Sequence, residues 1–401
     1  MKHLYIHIPF CHRRCAYCDF NTYANVGDRI EAYVVALCAE LRLLAETVMP
    51  APPASAEAAG LRPTIFLGGG TPTMLALGQM ERVLEAARLI VPLDGAEVSS
   101  EANPGTVLGR DYLRGLHQLG VNRLSMGVQS LHDPTLRILG RIHTADEARR
   151  SYAEARESGF DNINLDFIFG LPGQDQAQWE STLDEIVTWD VDHFSLYSLI
   201  LEEQSPLYAQ VTAGRVSIPD DDATATMYEC AMDRFAAANY VQYEISNFAR
   251  QEEIRESKIL PDIPSRACHH NLAYWLNSDY LAAGAGAYGH ITSGGAPHRY
   301  SDTLAIDAYI AAVTTGHRPL AEIIPLSVAD IRAETMMMGL RLNVGVGDDH
   351  FAARCGATLT DVYGPQIAEL IGQSLIERVP GRIRLTPRGR MFGNQVFLRF
   401  L

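Results

Sequence analysis

Three thiols stand within eight residues near the start of the chain, in CHRRCAYC at residues 11–18. With spacings of three and two on one loop, Cys11, Cys15 and Cys18 can turn their sulfurs inward around one metal centre. Structural zinc is closed and tetrahedral and needs a fourth ligand, which His7, His12 or Asp19 could supply. Zinc knuckles favour paired CxxC elements, however, and the chain holds no second pair. A four-iron cluster takes one cysteine per iron, so three cysteines leave one iron with open coordination. Open coordination is useful where a ligand is to occupy the position, by the logic of catalytic zinc. The spacing favours a 4Fe-4S cluster, with zinc as the alternative.

Other polar residues recur at the ends of apolar runs. Six runs read as buried strands: LYIHI (4–8), TIFLGG (64–69), EVSSEAN (97–103), RLSMGVQ (123–129), NINLDFIFG (162–170) and HFSLYSLI (193–200). Helical patterns follow them, among them 29–46, 77–90, 144–159 and 175–189. Strands alternating with helices predict a parallel sheet. No Rossmann glycine fingerprint follows the first strand, so a whole or partial TIM-type barrel suits the pattern better than a doubly wound sheet. Thr71, Glu101, Gln129, Asp166 and Tyr197 fall at or near the C-terminal ends of these strands, where barrels carry their sites.

Beyond residue 221 the pattern changes. A helix over 223–239 precedes a charged, proline-containing stretch at 249–267 that reads as a surface excursion. The end of the chain, LIGQSLIERVPGRIRLTPRGR (370–390), reads as helix, strand, turn and strand, a winged-helix-like module taken as a packing unit rather than a DNA reader. PAPPASAEAAG (50–60) reads as a loop. The domains expected are a barrel over 1–220 and a smaller α+β domain over 221–401.

A formal charge of −15 argues against nucleic acid or anionic lipid as partners, because phosphate contacts need an excess of Lys and Arg. No apolar run approaches a membrane span, and the N-terminal stretch does not read as a signal peptide. Seven scattered cysteines do not make a disulfide framework, which implies a reducing, cytoplasmic compartment. Cys38, Cys230 and Cys355 read as inert thiols in helices.

With Tyr17 directly before its last cysteine, CHRRCAYC resembles the CxxxCxxC loop of the radical S-adenosylmethionine enzymes. That resemblance implies a (β/α)6 partial barrel, a 4Fe-4S cluster on Cys11, Cys15 and Cys18, and S-adenosylmethionine on the open iron, cleaved reductively to a 5′-deoxyadenosyl radical. FLGGGTPT (66–73), SEANPGT (100–106), SMGVQS (125–130), LGRIHT (139–144) and DFIFGLPGQ (166–174) follow as in oxygen-independent coproporphyrinogen III oxidase and its relatives. Carried over, Tyr5 and Tyr17 would contact S-adenosylmethionine near the cluster, with Gly69, Gly70 and Thr71 flanking its methionine part. Glu101, Gln129, Arg141 and Asp166 would supply hydrogen bonds to the ribose and to charged groups. An ion pair between Arg141 and Asp166 is the structural alternative.

The chain departs from the oxidase in one telling place. Where the oxidase loop carries a further cysteine two positions after the third ligand, Phe20 stands here, with neither thiol nor acid–base capacity. The oxidase's longer N-terminal arm is absent as well. In both respects the chain resembles a sister group, the haem chaperones of the HemW type. HHNLAYW (269–275) contains HNxxYW, similar to the motif implicated in haem binding in that group, and YLAAGAGAYGH (280–290) follows. The resemblance implies haem as ligand, an acceptor haem protein as partner, His270 as an axial ligand, and Tyr274 and Trp275 as flat faces for the porphyrin. Cys268 reads either as a thiolate ligand or as a buried thiol, and GAGAYG as a ligand-contacting or merely tight connection. Coproporphyrinogen oxidation is the alternative activity. A homodimer is compatible with the sequence, but no residue fixes it.

Overall fold

The computed structural model describes residues 2–48, 52–105, 109–251, 260, 262–293 and 295–401. The six expected strands form as β1 (His3–Ile8), β2 (Thr64–Gly69), β3 (Glu97–Ala102), β4 (Arg123–Gln129), β5 (Ile163–Phe169) and β6 (His193–Ser198). They pair in parallel and in chain order. Between them run α1 (Ile30–Thr47), α2 (Leu77–Ala87), α3 (Arg110–Gln118), α4 (Ala145–Glu157) and α5 (Gln176–Ile186), and α6 (Asp221–Ala237) follows β6. Local sequence sets their starts. Thr144 and Glu147 form a reciprocal capping box on α4, while Asp175 and Asp220 accept backbone N–H bonds at the heads of α5 and α6.

Alternation along the strands sorts the barrel into two faces. Leu4, Ile6, Ile65, Leu67, Val98, Leu124, Met126, Ile163, Leu165 and Phe194 are fully buried in the main hydrophobic core. Each such side chain contributes roughly 1.5–3 kcal/mol. The opposite face is polar even where it is buried. His3, Thr64, Glu97, Arg123, Asn164 and His193, at the starts of their strands, are all shielded from solvent.

The sheet continues past the six strands. Leu281–Ala283 (β9) adds in parallel to the free edge of β1, and Tyr240–Gln242 (β7) and Asn247–Arg250 (β8) extend β6 antiparallel, giving the order β9-β1-β2-β3-β4-β5-β6-β8-β7. These strands are three or four residues long, too short to show a period.

The C-terminal part holds an antiparallel sheet of Tyr288–Ser293, Ala296–Asp302 and Leu320–Pro325, then helices over Val328–Gly339, Asp348–Cys355 and Leu359–Gly372. The hairpin of Ile376–Val379 and Arg382–Leu385, joined by Val346–Gly347, gives the winged-helix-like end. Ile376, Ile383 and Leu385 bury against Phe351, Ile367 and Leu370 in a separate core, so the wing's apolar side is spent on packing.

Two expectations are corrected. Within 50–60, Ala56–Gly60 is a helical turn rather than a loop, because the Ser55 hydroxyl caps it from the N-terminal side. Ser55 also hydrogen-bonds His350 at 2.7 Å, and Glu57 pairs with Arg382, tying this connection to the C-terminal part. In the stretch 249–267, residues 252–259 and 261 lie outside the described residues. Its described flanks are only partly surface, with Gln251, Asp262 and Ser265 exposed. Ala249, Leu260, Ile263 and Ala267 are buried with Tyr243 and Leu272 in a satellite core, since these apolar side chains border the helix that follows.

Candidate functional site

The cysteine loop leaves β1 and is pinned by backbone bonds from Ala16 N–H to Leu139 O (2.8 Å) and from Leu207 N–H to Ala16 O (2.8 Å). Cys11, Cys15 and Cys18 are partly exposed free thiols. Their contacts are weak: Cys11 Sγ lies 3.6 Å from Thr71 Oγ1, Cys18 Sγ lies 4.0 Å from Thr22 Oγ1, and an Arg141 N–H points at Cys15 Sγ from 3.5 Å. Burial pushes the Cys11 thiol up to about 11. Three soft donors without firm partners, beside a guanidinium that would offset thiolate charge, fit a sulfur-ligated metal group. The zinc alternative fits less well. His7 spends both ring nitrogens, donating from Nε2 to Asn21 O (2.9 Å) and accepting the Tyr5 hydroxyl at Nδ1 (2.9 Å). Among the described residues no trio of His, Cys, Asp or Glu converges on a single ion.

The loop after β2 closes against this element. A Cβ on Gly69, whose φ is +105°, would meet the His7 imidazole at 2.3 Å, and one on Gly70 would meet Phe10 O at 2.7 Å. The glycines are therefore required by the approach of the chain to itself. Gly69 N–H donates to Glu101 Oε2 (2.9 Å), and Thr71 N–H donates to Phe10 O (2.8 Å).

Around the loop stand the polar ends of the strands. Burial, followed by the nearby Asp166 charge, raises Glu101 to about 7. Asp166 lies deeper in β5 and takes hydrogen bonds from Asn164 Nδ2 (2.8 Å) and Ser125 Oγ (3.2 Å). Arg141 makes no ion pair with it. The guanidinium instead donates to Asn103 Oδ1 (2.6 Å) and Gly127 O, and its Nε is buried without a partner. Gln129, the last residue of β4, has a left-handed φ of +67° and a buried Oε1 without a partner. A strained residue with an orphaned acceptor at a strand end fits a polar ligand. Tyr17 packs on Leu139, Ile168, Leu171 and Leu207, beside the cysteines. Tyr197, near the end of β6, is 43% exposed.

HNxxYW lies on a short helix, α7 (His269–Trp275), docked at the opposite ends of the strands. Glu97 on β3 accepts the backbone N–H of His269 and of His270, both at 3.0 Å. His270 is buried. Its Nδ1 meets Thr64 Oγ1 at 2.7 Å, and its Nε2 meets the Tyr274 hydroxyl at 2.9 Å. Thr64 Oγ1 is also 3.0 Å from His3 Nδ1, and Phe66 stacks on the His270 ring at 5.1 Å. Cys268 is fully buried, 3.5 Å from Glu97 Oε1, and burial pushes its thiol up to about 12, which favours the buried-thiol reading. Trp275 sits under the Arg341 guanidinium at 4.8 Å.

Between α7, the polar face of β1 and the cysteine loop opens a cleft of about 680 Å³. Tyr5, Phe20, Tyr274, Tyr280 and Tyr288 line it, together with Gly69 and Glu101. His270 and Trp275 are not among its lining residues. Phe20 is 63% exposed at its mouth. Sequence reasoning missed His3, Thr64, Phe66 and Glu97, which meet α7 across more than 170 residues of chain, and Tyr280, which follows α7 closely and packs on Tyr274. The alternation of polar residues in the strands was an available signal for His3, Thr64 and Glu97.

Comparison with known proteins gives a consistent relationship. Residues 5–186 match the radical SAM superfamily and residues 326–392 the HemN C-terminal domain. The chain is 37% identical to the heme chaperone HemW of Bacillus subtilis (strain 168), covering 100% of this chain and 99% of the relative. It is 33% identical to HemW of Escherichia coli (strain K12), covering 99% and 97%. Its fold is similar to that of the E. coli coproporphyrinogen III oxidase HemN, a radical SAM enzyme, with a TM-score of 0.79 at 22% identity over 99% of this chain and 89% of that one. Full-length identity above 30%, the cysteine loop and the HNxxYW helix together place this chain in the HemW family of radical SAM proteins.

Proposed function

We propose that the protein binds haem and transfers it to an acceptor haem protein, carrying a 4Fe-4S cluster on Cys11, Cys15 and Cys18 and S-adenosylmethionine beside it. The observation that carries this reading is the aromatic cleft next to the cysteine loop, with exposed Phe20 where the oxidase has a cysteine. Flat, apolar tyrosine and phenylalanine faces suit a porphyrin, and Phe20 offers no proton-transfer group for decarboxylation. Residues 1–220 supply the cluster loop and one wall of the cleft, and residues 221–401 supply the other through Tyr274, Tyr280 and Tyr288.

The cluster and S-adenosylmethionine, when bound, would supply one-electron chemistry. Gly69, Gly70 and Thr71 would flank the methionine part, with Tyr5 and Tyr17 closing around it. Gln129 Oε1, Glu101 and Asp166 would accept hydroxyl or ammonium protons, and Arg141 would face a carboxylate and hold charge near Cys15. Among the described residues no helix is long and apolar enough to cross a membrane, so delivery at a membrane would depend on a docking partner.

The test is anaerobic reconstitution followed by two titrations, one with haem and one with coproporphyrinogen III plus S-adenosylmethionine and reductant. Stoichiometric haem binding and onward transfer to an apo-haem protein, without porphyrinogen turnover, are expected. Turnover to the divinyl product would overturn the reading.

A further inference from the structure

HNxxYW places a tyrosine, not its histidine, at the cleft. His270 is buried and has both ring nitrogens engaged, whereas Tyr274 lines the cleft, and its hydroxyl has the His270 imidazole as its hydrogen-bond partner. Phenolate is an established axial ligand of haem iron. It needs a hydrogen-bond donor to hold its charge in a partly buried site.

Tyr5 and Tyr274 of the cleft each hydrogen-bond an imidazole through the hydroxyl, and they differ in what that imidazole can do. Tyr5 bonds His7 Nδ1, but His7 Nε2–H is committed to the Asn21 carbonyl, which only accepts. His7 Nδ1 is thereby fixed as an acceptor and could not donate to a Tyr5 phenolate. His270 faces a hydroxyl at its far nitrogen. Thr64 Oγ1 can accept from His270 Nδ1 while donating to His3 Nδ1, or donate to His270 Nδ1 while accepting from His3. In the second arrangement His270 Nε2 carries hydrogen and points at the Tyr274 oxygen from 2.9 Å. Phe66, stacked on the ring, and Glu97, holding the start of α7, keep that direction.

We infer that Tyr274 is the residue of the motif that ligates ferric haem, as phenolate, and that His270 is its positioning residue through the chain His3–Thr64–His270–Tyr274. This rests on the haem-binding reading above. On binding, the Tyr274 O–H bond breaks and an Fe–O bond forms. The proton leaves with the hydroxide displaced from ferric haem, as water, and no electron moves. The hydrogens left on the chain then run from His3 Nδ1 to Thr64, from Thr64 to His270 Nδ1, and from His270 Nε2 to the phenolate.

The experiment uses the full-length, cluster-loaded protein with ferric haem, read by resonance Raman and electron paramagnetic resonance, with ring-deuterated tyrosine incorporated in a parallel sample. Phenolate modes that shift on deuteration and a high-spin ferric signal are expected. Tyr274→Phe should abolish the phenolate modes and weaken haem binding about tenfold. His270→Gln should keep them at shifted frequency. The wild-type spectrum decides even if a variant folds poorly. Haem binding with a nitrogen-ligand spectrum, or phenolate modes that survive in Tyr274→Phe, would overturn the inference while leaving the haem-binding reading intact. Absence of haem binding by the wild type would overturn both.

Discussion

Gln129 and Glu97 both lie inside the barrel, at opposite ends of neighbouring strands, and they hold different things. Gln129, at the C-terminal end of β4, keeps a left-handed backbone and an acceptor with no partner in the chain. Glu97, at the N-terminal end of β3, satisfies two backbone N–H groups of α7 and stands near the buried Arg123. Around Gln129 other groups also wait: the Arg141 Nε and three thiols with only weak contacts. Around Glu97 the imidazoles of His3, His193 and His270 are hydrogen-bonded, while the Arg123 Nε, like that of Arg141, is buried without a partner. The difference separates groups left with unmet hydrogen-bonding or ligating capacity from groups that hold α7 in place. On the proposed function the first set gives up stability for binding, and the second uses polar chemistry for positioning.

The comparison is most exposed at Glu97. Glu97→Ala leaves the head of α7 uncapped and Arg123 without its neighbour, and should cost about 3–5 kcal/mol, read as a lower urea midpoint. A loss under about 1 kcal/mol would break the assignment of this end as structural. Gln129→Gly comes next. It removes the orphaned amide and relieves the left-handed strain, so S-adenosylmethionine affinity by calorimetry should fall about tenfold while stability holds or rises by about 1 kcal/mol. A clear loss of stability would place Gln129 with Glu97 instead.

The smallest effect is the pH response of Glu101. With its carboxyl raised to about 7, it is neutral below that pH and negative above it. S-adenosylmethionine carries positive charge on its sulfonium and ammonium groups, so its affinity should rise about fivefold, roughly 1 kcal/mol, as pH increases through 7. Glu101→Gln should flatten the curve. The same raised carboxyl favours the folded state while protonated, a contribution present below about 4.5 and lost as pH rises through about 7. That decline should also vanish in Glu101→Gln, measured by denaturation across the same range.

The six parallel strands and most of their helices were legible because each fills a sustained period on its own. β4 ends at Gln129 in the sequence pattern and in the structure alike. β7, β8 and β9 were not legible, because three or four residues carry no period and their place depends on the edges left by β1 and β6. The turn at Ala56–Gly60 was hidden by its prolines, although Ser55 followed by AEAA was a usable cap signal. At the candidate site, the three cysteines, Glu101, Gln129, Arg141 and Tyr274 were singled out by motif. Trp275 and His270 were assigned by the same motif, yet the cleft is lined by Tyr274 without them.

By itself the sequence determined the chemistry available: three thiols at one spacing, a polar face inside each strand, an acid and an amide at strand ends, and Phe20 in place of a cysteine. Those are local facts of residue type and interval. Only the tertiary structure decided direction. Whether an imidazole offers a nitrogen to a ligand depends on what stands at its other nitrogen, and for His270 that is Thr64, 206 residues away in the chain. Hydrogen-bond partners brought together by the barrel, rather than the motif, set which of its side chains reaches the cleft.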